Sequence, residues 1–131
     1  MTETTLSLEA DGLKVEPVTQ SDAAVALRFS GSADTRSLAA LEDLLSRVHD
    51  TATEQKAAEV TLDLRSMKFI SSSCLKAFVV WLSRVQALAT DRQYRIRFFA
   101  DDSKPWQRRC LGAVACFAVD LVKIDSGVAS V

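Results

Sequence analysis

Between Glu59 and Leu88 the chain passes from an alternating apolar run, Glu59-Val-Thr-Leu-Asp-Leu64, through Arg65-Ser-Met-Lys-Phe-Ile70, into three serines and a long apolar pattern at helical spacing. That order describes a buried strand, a crossover and a buried helix. Ser71, Ser72, Ser73 and Cys74 open the helix. A strand that ends in small hydroxyl residues at a helix start gathers unpaired N–H groups and side-chain donors onto one exposed shoulder, so a functional site is expected there.

The remaining segments arrange around that unit. Leu6-Ser-Leu-Glu-Ala10 and Leu13-Lys-Val-Glu16 alternate apolar with polar across Asp11-Gly12, which suits the positive φ angles of a tight turn and predicts an N-terminal hairpin. After Pro17 and a polar break at 19–22, Ala23 to Phe29 reads as a strand with Val25, Leu27 and Phe29 on one face, ended by Gly31. Asp34 is the expected N-cap of a first helix whose Leu38, Leu41, Leu44, Leu45 and Val48 form one stripe, with Asp43 and Arg47 paired on the solvent side. Residues 50–56 read as a polar loop. The second helix, from about Ser72 to Ala89, buries Leu75, Phe78, Val79, Leu82 and Val85, with Cys74, Ala77, Trp81 and Leu88 widening the arc. Val80 stays exposed between Lys76 and Arg84.

Tyr94, Ile96 and Phe98 share one side of a half-exposed strand over 92–99, with arginines on the other. Asp102-Ser103 is expected to cap a third helix, with Pro105 in its first turn and Trp106, Cys110, Ala113, Val114 and Phe117 on its inner face. A last strand, Val119 to Ile124, precedes a loose tail over 125–131. Alternating strands and helices imply βαβ units with right-handed crossovers, and the antiparallel start makes the sheet mixed. The class is α/β, or α+β by a stricter count, as one domain over 1–131.

Composition removes several functions. Sixteen basic and seventeen acidic residues leave a formal charge of −1, so no overall field draws the chain to nucleic acid or anionic lipid, and a protein partner is the expectation. Cys74, Cys110 and Cys116 have neither CxxC nor zinc spacing and read as reduced, packed thiols of a cytoplasmic protein. No run approaches the roughly 18 to 20 apolar residues of a membrane span, and the N-terminus lacks a signal-type segment. Neither cofactor nor metal is expected, since no glycine-rich phosphate loop or ligand cluster stands in the chain.

The succession of Thr61-Leu-Asp-Leu64, a short crossover to Phe69-Ile70, a serine cluster and then Leu75-x-x-Phe78-Val79 resembles the signature of the STAS domain, a family named for sulfate transporters and anti-sigma-factor antagonists. The resemblance covers roughly residues 13–125. The family motif reads approximately Asp-Ser-Ser-Gly-Leu, and Ser71-Ser72-Ser73-Cys74-Leu75 stands in its place, with Ser71 for the aspartate and Cys74 for the glycine. The resemblance implies a mixed sheet with helices packed on it and a regulatory role through a protein partner, such as a serine kinase, an anti-sigma factor or another regulator. It places Ser72 at the phosphorylated position and Ser71, Ser73, Cys74, Leu75, Lys76 and Val80 on the partner-binding surface.

Two other readings compete. The serines could do no more than cap the helix of a fixed subunit or scaffold in a larger complex, since capping is what serine does at a helix start. Alternatively Ser72 or Cys74 could be the nucleophile of a small hydrolase or thiol enzyme. Nucleophilic catalysis needs a base within hydrogen-bond reach, and the single histidine, His49, reads as a surface residue near the end of the first helix.

Overall fold

The computed structural model describes residues 6–18 and 24–126. The expected polar break at 19–22 and the tail beyond 126 lie outside the described residues. Among the described residues six strands form one sheet in sequence order: β1 (Leu8–Ala10), β2 (Leu13–Pro17), β3 (Ala24–Ala33), β4 (Glu59–Ile70), β5 (Arg95–Ala100) and β6 (Val122–Ser126). The first three run antiparallel as a meander, and β3 through β6 are parallel, so the sheet is mixed as expected. Helices α1 (Leu38–Gln55), α2 (Ser72–Gln86) and α3 (Pro105–Ala115) supply the crossovers. Because every crossover steps to the next strand in one direction with one hand, all three helices cover the same face of the sheet.

That one-sided cover explains the strand patterns. Val60, Leu62 and Leu64 of β4 and Ile96 and Phe98 of β5 are fully buried beneath the helices, with Leu41, Leu44, Val48, Phe78, Leu82 and Val85 packed on them. The opposite face meets solvent and carries charge in cross-strand arrays. Arg97 pairs with Glu59 and with Asp125, each at 3.3 Å, and Arg65 grips Asp63 through both carboxylate oxygens while lying 5.4 Å over the Phe99 ring.

At the predicted turn Asp11 and Gly12 both have positive φ. Gly31 is needed for a different reason: a Cβ there would collide with the Gly12 carbonyl, which accepts a hydrogen bond from Ser32 N–H at 3.0 Å. Gly31 does not end β3, as the sequence suggests, and the strand continues to Ala33.

Several boundaries differ from expectation for identifiable reasons. Residues 65–70 are not a crossover but the continuation of β4, which pairs with β3 as far as Ala33↔Ile70. Two register shifts leave an extra residue in β4 each time, so the buried positions step from Leu64 to Met67 to Ile70 and hide the strand from a period-two test. Asp34 is not the cap of α1. It closes a turn in which its carboxylate accepts from Arg36 N–H, and the helix starts four residues later after Ser37. Residues 50–55 are helix rather than loop, buried through Thr51 and Ala52, and Lys56 in the left-handed conformation ends α1.

His49 is not on the surface. It is 7% exposed and lies inside the core, where Tyr94 meets it. On α3 the buried positions are Gln107, Leu111 and Val114; of the expected stripe Val114 alone is buried, with Trp106 and Cys110 half-buried and Ala113 and Phe117 exposed. No side chain caps this helix: Lys104 occupies the cap position, and Asp101 rather than Asp102 binds Ser103. Cys116 is exposed rather than packed, and Val119 precedes β6 rather than opening it. Asp125 and Ser126, assigned to the tail by sequence, belong to β6.

Candidate functional site

The shoulder is built where β4 outruns β5. Pairing between the two stops at Asp63↔Phe99, after which the outer side of β4 has no strand neighbour. Its carbonyls would then be left bare beside a packed helix, a cost of about 1–3 kcal/mol for each buried group. The start of α3 meets them. Gln107 Nε2 donates to the Leu64 and Met67 carbonyls at 2.8 and 3.1 Å, Lys104 Nζ donates to those of Arg65 and Met67 at 2.7 and 3.3 Å, and Gln107 Oε1 accepts from Asp101 N–H at 2.8 Å. This duty explains why a glutamine is 1% exposed and why α3 is rotated from its apolar stripe.

On the other side β3 holds the same exit. Ser71 N–H donates to the Ala33 carbonyl at 2.8 Å, and Cys74 Sγ lies 3.4 Å from the Asp34 carbonyl. Ser71 is extended, with φ −72° and ψ 161°, and its Oγ accepts from Cys74 N–H at 3.2 Å, so it is the N-cap of α2. One hydroxyl therefore fills the structural need.

Ser72 follows at the first helical position, exposed, and its side chain has no hydrogen-bond partner among the described residues. Ser73 and Leu75 are half-buried beside it. Lys76 and Val80, four and eight residues on, share its ridge along α2, with Val80 54% exposed. The ridge flanks an open groove of about 200 Å³ between α1 and α2, edged by Glu42, Ser46 and Arg84.

The structure separates Cys74 from this group. It is 0% exposed and points into the core, so its thiol cannot contact a partner, and the assignment of Cys74 to the binding surface is corrected. Burial also pushes the thiol pKa up, against the lowering a helix N-terminus would give a reactive cysteine. His49 is at the opposite end of the sheet from Ser72, since Tyr94, its partner at 2.7 Å, stands just before β5. The hydroxyl and thiol singled out as nucleophiles therefore have no histidine base beside them. Among the described residues no group of three histidine, cysteine or acidic side chains could hold a metal, and no helix is long and apolar enough to cross a membrane.

Phe69 belongs to the shoulder and was not visible in the sequence. It is 51% exposed two residues before the cap, because the second register shift turns it outward. The broken spacing of Leu64, Met67 and Ile70 was the available signal. Just past the end of β3, Asp34 keeps its carboxylate below the ordinary range through the Arg36 side chain, with Arg36 N–H adding to the effect.

No family model matches the chain, and no curated protein sequence does. Solved structures do match in shape. An anti-sigma factor antagonist from Mycobacterium paratuberculosis superposes with a TM-score of 0.58 at 17% identity, covering 82% of this chain and 84% of the other. The anti-sigma factor antagonist SpoIIAA in its unphosphorylated form superposes with a TM-score of 0.60 at 13% identity, covering 85% and 87%. The chain therefore has the STAS-like fold of anti-sigma factor antagonists, with a mixed sheet of six strands and three α-helices among the described residues.

Proposed function

We propose that the chain is a regulatory module that binds a protein partner through Ser71 to Ser73, Leu75, Lys76 and Val80, with Phe69 as a further apolar contact, and that phosphorylation of Ser72 switches the binding. The carrying observation is the division of labour among the serines: Ser71 alone caps α2, which leaves Ser72 exposed on a rigid platform with no structural task. The shared fold supports the reading, since the two structures compared above are anti-sigma factor antagonists and one was solved in its unphosphorylated form. A serine kinase or an anti-sigma factor is accordingly the partner class to test.

A phosphate on Ser72 adds about −1.5 to −2 charges at a helix start, where unpaired N–H groups and the positive dipole end stabilise it. The fold is unchanged, while an interface formed against neutral hydroxyls has to leave that anion desolvated and unpaired. The full-fit of Ser71 as a cap favours one other reading, a scaffold subunit whose remaining serines are inert.

Phosphopeptide mapping on protein from its native cell, together with affinity capture comparing wild type, Ser72→Ala and Ser72→Asp, decides between them. The switch reading expects phosphate at Ser72, capture kept by Ser72→Ala and lost by Ser72→Asp, with circular dichroism and melting temperature close to wild type. Unmodified Ser72 across growth conditions, with Ser72→Asp binding as wild type does, sinks it.

A further inference from the structure

Away from the shoulder, the sheet ends in two edge strands of unlike character. β6 pairs only with β5 among the described residues, and its register carries information. Ile96 N–H donates to the Leu121 carbonyl at 2.8 Å, so along this parallel ladder residues 121, 123 and 125 turn their backbone groups toward β5. Ile124 therefore turns both its N–H and its C=O to the outside, and Ser126 does likewise. Val122 N–H is already bonded to the Ala118 carbonyl, which leaves the Val122 carbonyl as its outward group.

We infer that β6 is a self-association edge, which takes the β6 strand of a second copy of this chain in antiparallel register about a two-fold axis at Ile124. In that register Ile124 exchanges both N–H···O bonds with its copy, and Ser126 N–H meets the Val122 carbonyl of the other chain, each bond occurring twice by symmetry. Lys123 stands opposite Asp125 of the second copy, and Asp125 opposite Lys123, as non-hydrogen-bonded pairs whose Cα atoms approach to about 4.5 Å and whose side chains share the solvent face. The charges are thus self-complementary only for this pairing: a slip by one residue sets Lys123 against Ile124 and leaves both Asp125 carboxylates without the lysine of the other copy.

Lys123 has charge to spare, with its side chain 68% exposed and only a 3.9 Å approach to Asp125 within its own chain. The other edge lacks this property. β1 is three residues long and centred on Glu9, so the same two-fold pairing there would set Glu9 against itself. Pairing through β6 also joins two copies of the charged open face, in which Arg97 already bridges Glu59 and Asp125. A five-residue strand covers less than the roughly 800 Å² per partner of a stable interface, so the dimer is weak and forms with rising concentration.

Sedimentation equilibrium on the full chain up to about 1 mM tests it, because association of this strength reads out in that range. Wild type should move from 14.3 kDa toward twice that mass. Lys123→Asp and Asp125→Lys should each weaken dimerisation by about tenfold or more, since each places like charges opposite at both symmetric positions. Mixing the two variants should restore association as a heterodimer, because every opposed pair is then of opposite sign. Exchange of the Ile124 and Ser126 amides, followed by NMR, should slow as concentration rises.

A wild type that stays monomeric throughout overturns the proposal. So does association that the charge variants leave unchanged, or a mixture of variants that remains monomeric although both keep the wild-type melting temperature. Slow exchange of Ile124 that does not depend on concentration also overturns it, since the edge would then be covered within one chain. The mixing arm keeps the test sharp should Asp125→Lys lose its bond to Arg97 and some stability with it.

Discussion

Where β4 and β5 begin, three polar side chains close on one another inside the core; where β4 leaves the sheet, a row of hydroxyls is divided between inside and outside. At the first end Trp81 Nε1 donates to Tyr94 Oη at 2.9 Å, and Tyr94 Oη lies 2.7 Å from His49 Nδ1, all three residues at most 7% exposed. At the second, Ser71 is consumed by the cap and Ser72 faces water. The difference teaches where function can sit in a small domain. Buried polar groups that satisfy each other specify packing and have nothing left to offer a ligand, whereas an exposed hydroxyl on a clamped backbone is free to be read or modified.

The largest loss of apolar contact belongs to neither end but to the layer that joins them. Leu82→Ala, at a position 0% exposed on α2, should cost about 2–5 kcal/mol in denaturant unfolding, as truncations of fully buried leucine do. A loss below about 1 kcal/mol would mean that α2 is not the helix that seals both ends.

Next comes the buried triad. Trp81 Nε1 can only donate, so Tyr94 Oη accepts from it, and the tyrosine keeps its own proton to offer His49 Nδ1 when that nitrogen carries none. Tyr94→Phe removes the shared oxygen and orphans an indole N–H and a ring nitrogen together, at a cost of about 1–3 kcal/mol for each. The matched change at the other end, Ser72→Ala, orphans nothing. Equal stability losses from the two would erase the contrast.

The same triad gives a pH dependence. Burial lowers the pKa of His49, and the charge of Arg84 adds to this against a small opposing influence of Asp50; a protonated ring would also bring a second donor to Tyr94. The folded state thus holds the neutral ring where the unfolded chain, with its ordinary value near 6.5, takes up a proton. The unfolded state binds more protons in that window, so stability rises with pH there. It should be full above about pH 6.5, decline as pH falls below that value, and level off beneath the lowered folded-state pKa. Melting curves of His49→Gln, normalised to their own high-pH value, should be flatter between those limits. An equal slope in the variant would assign the acid sensitivity to other groups.

Much of this architecture was legible from residue order, and the parts that were not share a cause. Stripes such as Leu41, Leu44, Leu45 and Val48 announce a helix because burial demands them whatever lies opposite. The parallel strands and the serine shoulder were legible on the same ground, with the STAS resemblance converging on them. Features set by a partner elsewhere in the chain were not legible. Gln107 is inside because β4 outruns β5, His49 is inside because Tyr94 meets it, and Phe69 is outside because β4 carries two extra residues against β3. Each of those facts depends on contacts across tens of residues, where composition and period say nothing. The misplacement of Cys74 has a simpler source. The resemblance put it at a motif position, although its spacing from Phe78 and Ala77 already set it on the buried arc.

The smallest effects lie within the serine row and separate its members. Ser71→Ala takes away the one side-chain oxygen bonded to Cys74 N–H, and loss of a serine cap costs about 0.5–2 kcal/mol, so its melting temperature should fall while the exposed ridge keeps its shape. Ser72→Asp removes no bond and places a carboxylate at the first position of α2, where no acidic residue stands in the first turn. An anion there interacts favourably with the helix dipole by about 0.3–1 kcal/mol, so this variant should melt at or slightly above the wild-type temperature. The two substitutions are neighbours in sequence and predicted to move stability in opposite directions. That opposition is what the division of labour requires: the cap carries the fold and its neighbour is spare. If Ser72→Asp destabilised the domain as much as Ser71→Ala, Ser72 would be holding the shoulder together, and a phosphate there would unfold the helix start instead of altering the surface a partner reads.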